Sequence, residues 1–243
     1  MKYVYSILAL VLTSVVSFCQ NEAPEIPPKL IPDYHFNLSY TAVSNTDIQH
    51  AEIGLNKDLF TLMSNKLRLG LGLRAGIQDN QNISFTSAHS AIKGNSNHHD
   101  TLFHSRVQSA AFNLYFNGEY HLSKHVAFGL NLDLLGITTG LPTDATYNPG
   151  STSQEYGYYA VEDVESVPTS ANAFSFGDSK GGLNTQLYVK LALSRKVALR
   201  AGVSYLFQEF STELGYGAFK SYRYEYNTIG YHVGFTFNRF NEK

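Results

Sequence analysis

The chain has 243 residues, of which 43% are hydrophobic, 14% aromatic and only 16% charged, and its net charge is −2. Soluble domains typically carry about 25% charged residues, yet the mean hydropathy is slightly polar at −0.18, so the polarity comes from Asn, Ser, Thr, Gly and Tyr. This balance gives no electrostatic case for a nucleic-acid partner. The aromatic content argues against disorder, and a single Cys excludes a disulfide scaffold.

Lys2 opens a short basic start, and Val4 to Val16 form an apolar run. The run is shorter than the roughly 20 residues a membrane helix needs, but it suits the core of a secretory signal. Ser17 and Cys19 place cleavage after Cys19, which makes residues 1–19 a signal peptide. Lipoprotein processing at Cys19 is the alternative, and it normally wants a small residue where Phe18 stands. Residues 20–33 hold Pro24, Pro27, Pro28 and Pro32 and read as an extended periplasmic leader.

From Tyr34 onward, apolar residues alternate with small or polar ones, the period of a strand with two unlike faces. The apolar sets are Tyr34–Ala42, Ala51–Leu55, Leu67–Ile77, Ala110–Tyr120, Val126–Leu134, Leu187–Leu193, Val197–Phe207 and Ile229–Phe237, which predicts eight strands over residues 34–240. Short links (Asp58–Asn65, His121–Lys124, Ser194–Lys196) alternate with long ones at about 78–104, 140–182 and 209–227, expected to be surface loops. An even-numbered antiparallel meander with turns at one end and long loops at the other describes an eight-stranded, up-and-down transmembrane β-barrel. The even strand number puts both termini on the short-turn side, normally the periplasm.

Alternation alone does not say which face is inside, because a soluble lipocalin-like barrel alternates too. A water-exposed exterior would be rich in Lys and Glu. The non-apolar face here holds Gly, Ala, Asn, Ser and Thr with seven charges, Glu52, Arg68, Arg74, Glu119, Asp133, Lys190 and Arg200. Nearly balanced charges among small residues suit a crowded lumen, and the uncharged apolar face suits hydrocarbon.

In the final strand Tyr231, Val233, Phe235 and Phe237 alternate as in an assembly signal, with His232 where a Gly would fall and Phe240 to Lys243 extending further. With the eight-strand pattern, this resembles the small outer-membrane β-barrel proteins of Gram-negative bacteria, the OmpA-like transmembrane domains and porin-family barrels. The resemblance implies a cell outer-membrane location, outer-membrane lipid and lipopolysaccharide as surroundings, and no cofactor.

Candidate chemistry lies in the lumen and the long links. Eight strands leave an interior just wide enough for side chains to fill, so the seven charges read as a static plug, with a narrow solute channel as the alternative. His89, His98, His99, Asp100 and His104 form a candidate metal set, though their spacing fits no closed tetrahedral motif. Tyr156, Tyr158, Tyr159, Tyr222 and Tyr224 stand in Gly- and Ser-rich links that resemble adaptable recognition surfaces. The His89–Ser90 and His104–Ser105 pairs could serve a lipid-modifying enzyme, but neither shows an orienting acid, and adjacent strand residues face opposite ways. The sequence therefore predicts a non-enzymatic barrel with an envelope-structural role, or one that recognises an extracellular ligand or protein through its loops. A charge placed at Leu71 or Leu132 is expected to harm the barrel more than one at Gly72 or Asn131.

Overall fold

A computed structural model of the protein describes residues 34–43, 47–88, 99–174, 179–218 and 221–239. The signal peptide, Cys19 and the leader lie outside these residues. The elements are β1 (Tyr34–Ala42), β2 (Asp47–Leu62), β3 (Leu67–Ser87), β4 (Thr101–His121), β5 (Val126–Thr139), β6 (Thr143–Asn148), α1 (Ser151–Glu155), β7 (Val161–Pro168), β8 (Ala171–Ala173), β9 (Gly182–Ala192), β10 (Val197–Tyr216) and β11 (Ser221–Arg239). Among them β1, β2, β3, β4, β5, β9, β10 and β11 form an antiparallel ring of eight. Pairing of β1 with β11, from Tyr34↔Arg239 to Ala42↔Tyr231, closes it.

The alternation places each row. On β3, Leu67, Leu69, Leu71, Leu73, Ala75 and Ile77 point outward while Arg68, Gly70, Gly72 and Arg74 are buried. Ten residue steps at about 3.3 Å each, tilted by roughly 40°, give an apolar belt about 25 Å tall, the height of a barrel's hydrocarbon band. The belt continues around the ring through Phe36, Leu55, Phe112, Leu187, Val203 and Phe235, all large apolar side chains left exposed. Leu134 is an extra residue on β5, because Leu114 pairs with Leu135 and Tyr115 with Asp133. Beyond this bulge Leu135 and Ile137 take the outward positions.

The segments expected to be loops are largely sheet, and the described strands number eleven rather than eight. Above the belt a second ring forms from β3, β4, β6, β7, β10 and β11. Its pairings include Leu102↔Tyr147, Asp144↔Glu165, Ser211↔Val167, Phe210↔Tyr224 and Tyr224↔Ser87. The short β1–β2 hairpin drops out at this level, so β11 meets β3 directly. Likewise β5 and β9 end, and the β6–β7 hairpin takes their place. We call this storey the cap.

Facing inverts between the two storeys. Between the pairs Gln81↔Arg106 and Ile83↔His104, Asn82 adopts a left-handed φ of 50°, and Gln81, Asn82, Ser105 and Arg106 are all exposed. Below this point the inward residues of β3 are polar or glycine, and above it the inward residues of β3 and β4 include Ile83, Phe85 and Leu102. With Val43, Ile48, Val107, Ala145, Tyr147, Val164, Leu206, Phe210 and Tyr224 they form one apolar core. The physical reason is solvent: the belt is wetted by hydrocarbon and the cap by water, so the apolar face must change sides.

Candidate functional site

The inward positions of the eight-strand ring hold polar side chains interleaved with Gly and Ala. Glu52, Arg68, Arg74, Glu119, Asp133, Lys190 and Arg200 all point into the lumen and are buried, Asp133 completely. Asp58 joins them, because β2 runs on to Leu62 and keeps the Asp58 side chain inside at 5% exposure. Four carboxylates thus face four cations.

The pairing is layered. Nearest the turns, Asp58 lies 3.1 Å from His35 Nε2 and 3.9 Å from Arg68. Next, Lys190 Nζ donates to both oxygens of Glu119 at 2.9 and 2.8 Å, and Tyr188 Oη donates to Glu119 at 2.8 Å. A ladder of amides crosses the middle, with Asn37 to Asn56 at 2.7 Å, Asn117 to Asn131 at 2.7 Å and Asn131 to Gln186 at 2.8 Å. Arg200 meets no carboxylate within ion-pair distance in the described structure. Its guanidinium lies 3.8 Å from the Tyr188 ring centroid and donates to Gln186 at 3.1 Å, while Gln186 donates to Glu52 at 2.6 Å. Higher still, Arg74 Nε donates to Asp133 at 2.6 Å and Arg74 also pairs with Glu52 at 3.4 Å. Asn113 Nδ2 and the Asn184 backbone N–H complete Asp133 at 2.7 and 2.8 Å.

Small lumen residues turn out to be space for large ones. A Cβ on Gly72 would stand 2.5 Å from Cζ of Tyr115 and 2.7 Å from Cβ of Asn56, and one on Gly129 would enter the Tyr188 ring. The expectation that Gly72 tolerates an acidic side chain is therefore corrected: the position faces the lumen, but Tyr115 already fills it. Between the Arg74–Asp133 layer and the cap lies a cavity of about 20 Å³ lined by His50, Glu52, Arg74, Gln78, Asn113 and Asp133, among others. That is the scale of one ordered water, and the unpaired His50 Nδ1 and Asn184 Oδ1 are buried beside it. Above, Gln208 binds Asn80, Gln78 and Ser109, and the cap core then closes the axis.

The other candidates separate. His89 and His98 lie outside the described residues, as does Ser90. Asp100 is buried and accepts hydrogen bonds from the Gly150 N–H at 2.8 Å and Ser153 Oγ at 3.0 Å, tying the α1 turn to β4. His104 is buried between Phe85 and Phe210, with ring centroids 5.3 and 5.2 Å away, and burial pushes its pKa down to about 4. Its nitrogens lie 3.4 Å from Thr143 Oγ1 and Ser166 Oγ, while Ser105 on the opposite face is exposed. Among the described residues no three His, Cys, Asp or Glu gather into a metal set. Tyr156 and Tyr159 are 74% and 80% exposed, with Tyr158 and Tyr222 also exposed. Tyr224 is corrected from surface to core: it is fully buried, because β11 runs unbroken into the cap and Tyr224 keeps the inward parity of Gly230, His232 and Gly234.

The sequence alternation puts His35, Tyr115 and Tyr188 on the inward face without assigning them a role there, and it leaves Asp58 in the link after β2. Asp58 was the most recoverable, since Asn56 and Asp58 continue the inward parity of β2.

No protein-family model and no curated protein matches the chain. Solved structures that are similar to it include Neisserial surface protein A, at 12% identity and a TM-score of 0.35, over 84% of this chain and 94% of that one. The outer membrane protein OprG from Pseudomonas aeruginosa is similar at 12% identity and a TM-score of 0.36, over 84% and 93%. The outer membrane protease OmpT from Escherichia coli is similar at 11% identity and a TM-score of 0.27, over 85% and 94%.

Proposed function

We propose that the protein is a non-enzymatic outer-membrane barrel with a closed lumen, oriented with its turns and termini in the periplasm and its cap outside the cell. Its work is done by the cap, as a surface-recognition or envelope-structural element. The observation that carries this reading is the double closure of the axis. Paired charges and an amide ladder fill the lumen, and an apolar core seals the storey above it. The exposed Tyr156, Tyr158, Tyr159 and Tyr222 supply rigid amphipathic contact area of the kind that recognition surfaces use. Planar-bilayer recording tests it: the purified barrel should show no stable openings, and reproducible ohmic steps would overturn the closed lumen. The cavity beside Arg74 and Asp133 favours the second reading, a narrow channel for small solutes that opens when this layer rearranges.

A further inference from the structure

We propose that the turn end of the barrel holds a binding site for an anionic phospholipid, on the outer wall where β11, β1 and β2 meet. The site needs only a membrane-spanning barrel and goes beyond the closed-lumen reading. A groove of about 400 Å³ runs there, lined by Tyr34, Phe36, Leu55, Phe237 and Asn238. Register puts Phe237, Phe36 and Leu55 in a single row across three strands, and the Phe36 and Phe237 rings lie 6.1 Å apart at 39°. The groove wall is thus largely apolar, as contact with an acyl chain requires.

One row nearer the turns stands Lys57, outward-facing and exposed opposite Leu71, with Nζ 5.4 Å from the Tyr34 ring centroid. Among the described residues it makes no ion pair. A lone cation on a hydrocarbon-facing wall is unfavourable unless its head reaches the interface, and a phosphate ester there would neutralise it. The rest of the turn end has the same sign. Lys66, Lys124, Arg195 and Lys196 are exposed, while Asp58 is turned inward to His35 and Arg68, so every exposed formal charge described at this end is positive. The cap end is the opposite: Asp47, Asp144, Glu155, Glu162, Asp163, Glu165 and Glu213 are exposed against Arg106 and Lys180. Groove and cation coincide at Lys57. A ligand that satisfies both carries an acyl chain and a net negative headgroup. Free phosphate lacks the chain, and a zwitterionic headgroup would set its ammonium against the basic rim.

The test is lipid retention by the whole folded barrel. The protein is reconstituted in nanodiscs of equal phosphatidylethanolamine and phosphatidylglycerol, extracted in mild detergent, and the retained lipid is read by native mass spectrometry. Wild type should retain phosphatidylglycerol in preference, and Lys57→Gln should lower that preference about fivefold, the equivalent of ~1 kcal/mol for one cation at an anionic surface. Lys57→Arg should keep it, and Lys124→Gln, on the far side of the rim, should leave it nearly intact. Heat-modifiable gel mobility confirms that each variant is folded. No preference in wild type, retention of phosphatidylethanolamine instead, or equal loss in Lys57→Gln and Lys124→Gln would each overturn the site.

Discussion

Asp133 gives the sharpest test of the lumen as a paired, load-sharing network. All of its contacts are donors: Arg74 Nε at 2.6 Å, Asn113 Nδ2 at 2.7 Å and the Asn184 N–H at 2.8 Å. Asp133→Asn preserves volume but offers one acceptor oxygen where two are used, and points its amide N–H₂ at another donor. It also leaves Arg74 with only the longer Glu52 contact at 3.4 Å. Breaking a buried pair by removing one partner typically costs about 3–5 kcal/mol. Urea unfolding of the reconstituted barrel, followed by tyrosine fluorescence and gel mobility, should therefore show a loss of that size. Asp79→Asn is the control, because its partner Arg106 is 58% exposed and the pair lies on the surface, where such pairs contribute about 0–1 kcal/mol. The double variant Arg74→Met with Asp133→Leu should not recover the loss, because it takes the guanidinium away from the buried Glu52 as well and leaves the Asn113 and Asn184 donors without their acceptor. A single variant within about 1 kcal/mol of wild type, with no gain in conductance, would refute the idea that this pair holds the lumen.

Two further predictions test facing and the cap. Gly72→Ala should cost about 1–3 kcal/mol through overpacking against Tyr115, and Leu71→Asp should cost up to about 2 kcal/mol on the lipid face and slow assembly; normal unfolding midpoints for both would show the rows to be misassigned. His104 titrates near 6.5 when unfolded and at about 4 in the cap, where burial disfavours the cation. Above pH ~6.5 both states are neutral; as pH falls below it the unfolded chain binds a proton first, so the cap loses roughly 3 kcal/mol by pH ~4. Protection factors of cap amides, which allow for the slower intrinsic exchange at low pH, should fall across that window, and His104→Phe, which keeps an aromatic ring between Phe85 and Phe210, should flatten the fall.

The amino-acid sequence alone determined the eight barrel strands, their facing and the charges they bury apart from Asp58. Lipid outside and a narrow lumen inside impose a signal that repeats every second residue and can be read within one strand, as along Leu67–Ile77. The cap was not legible in that way, because the alternation inverts at Asn82 and Ser105 where hydrocarbon gives way to water, and each half looks irregular across the junction. Partner choice was not legible either. Arg74 meets Asp133 59 residues away, Glu119 meets Lys190, Asp58 meets His35 and Arg68, and Arg200 is left to Tyr188 and Gln186. These pairings follow from the stagger of strands around a closed ring, and so does the coincidence of Lys57 with the Phe36–Phe237 groove. Facing is a local property of a strand, whereas register and closure belong to the whole barrel, and only the tertiary structure supplies them.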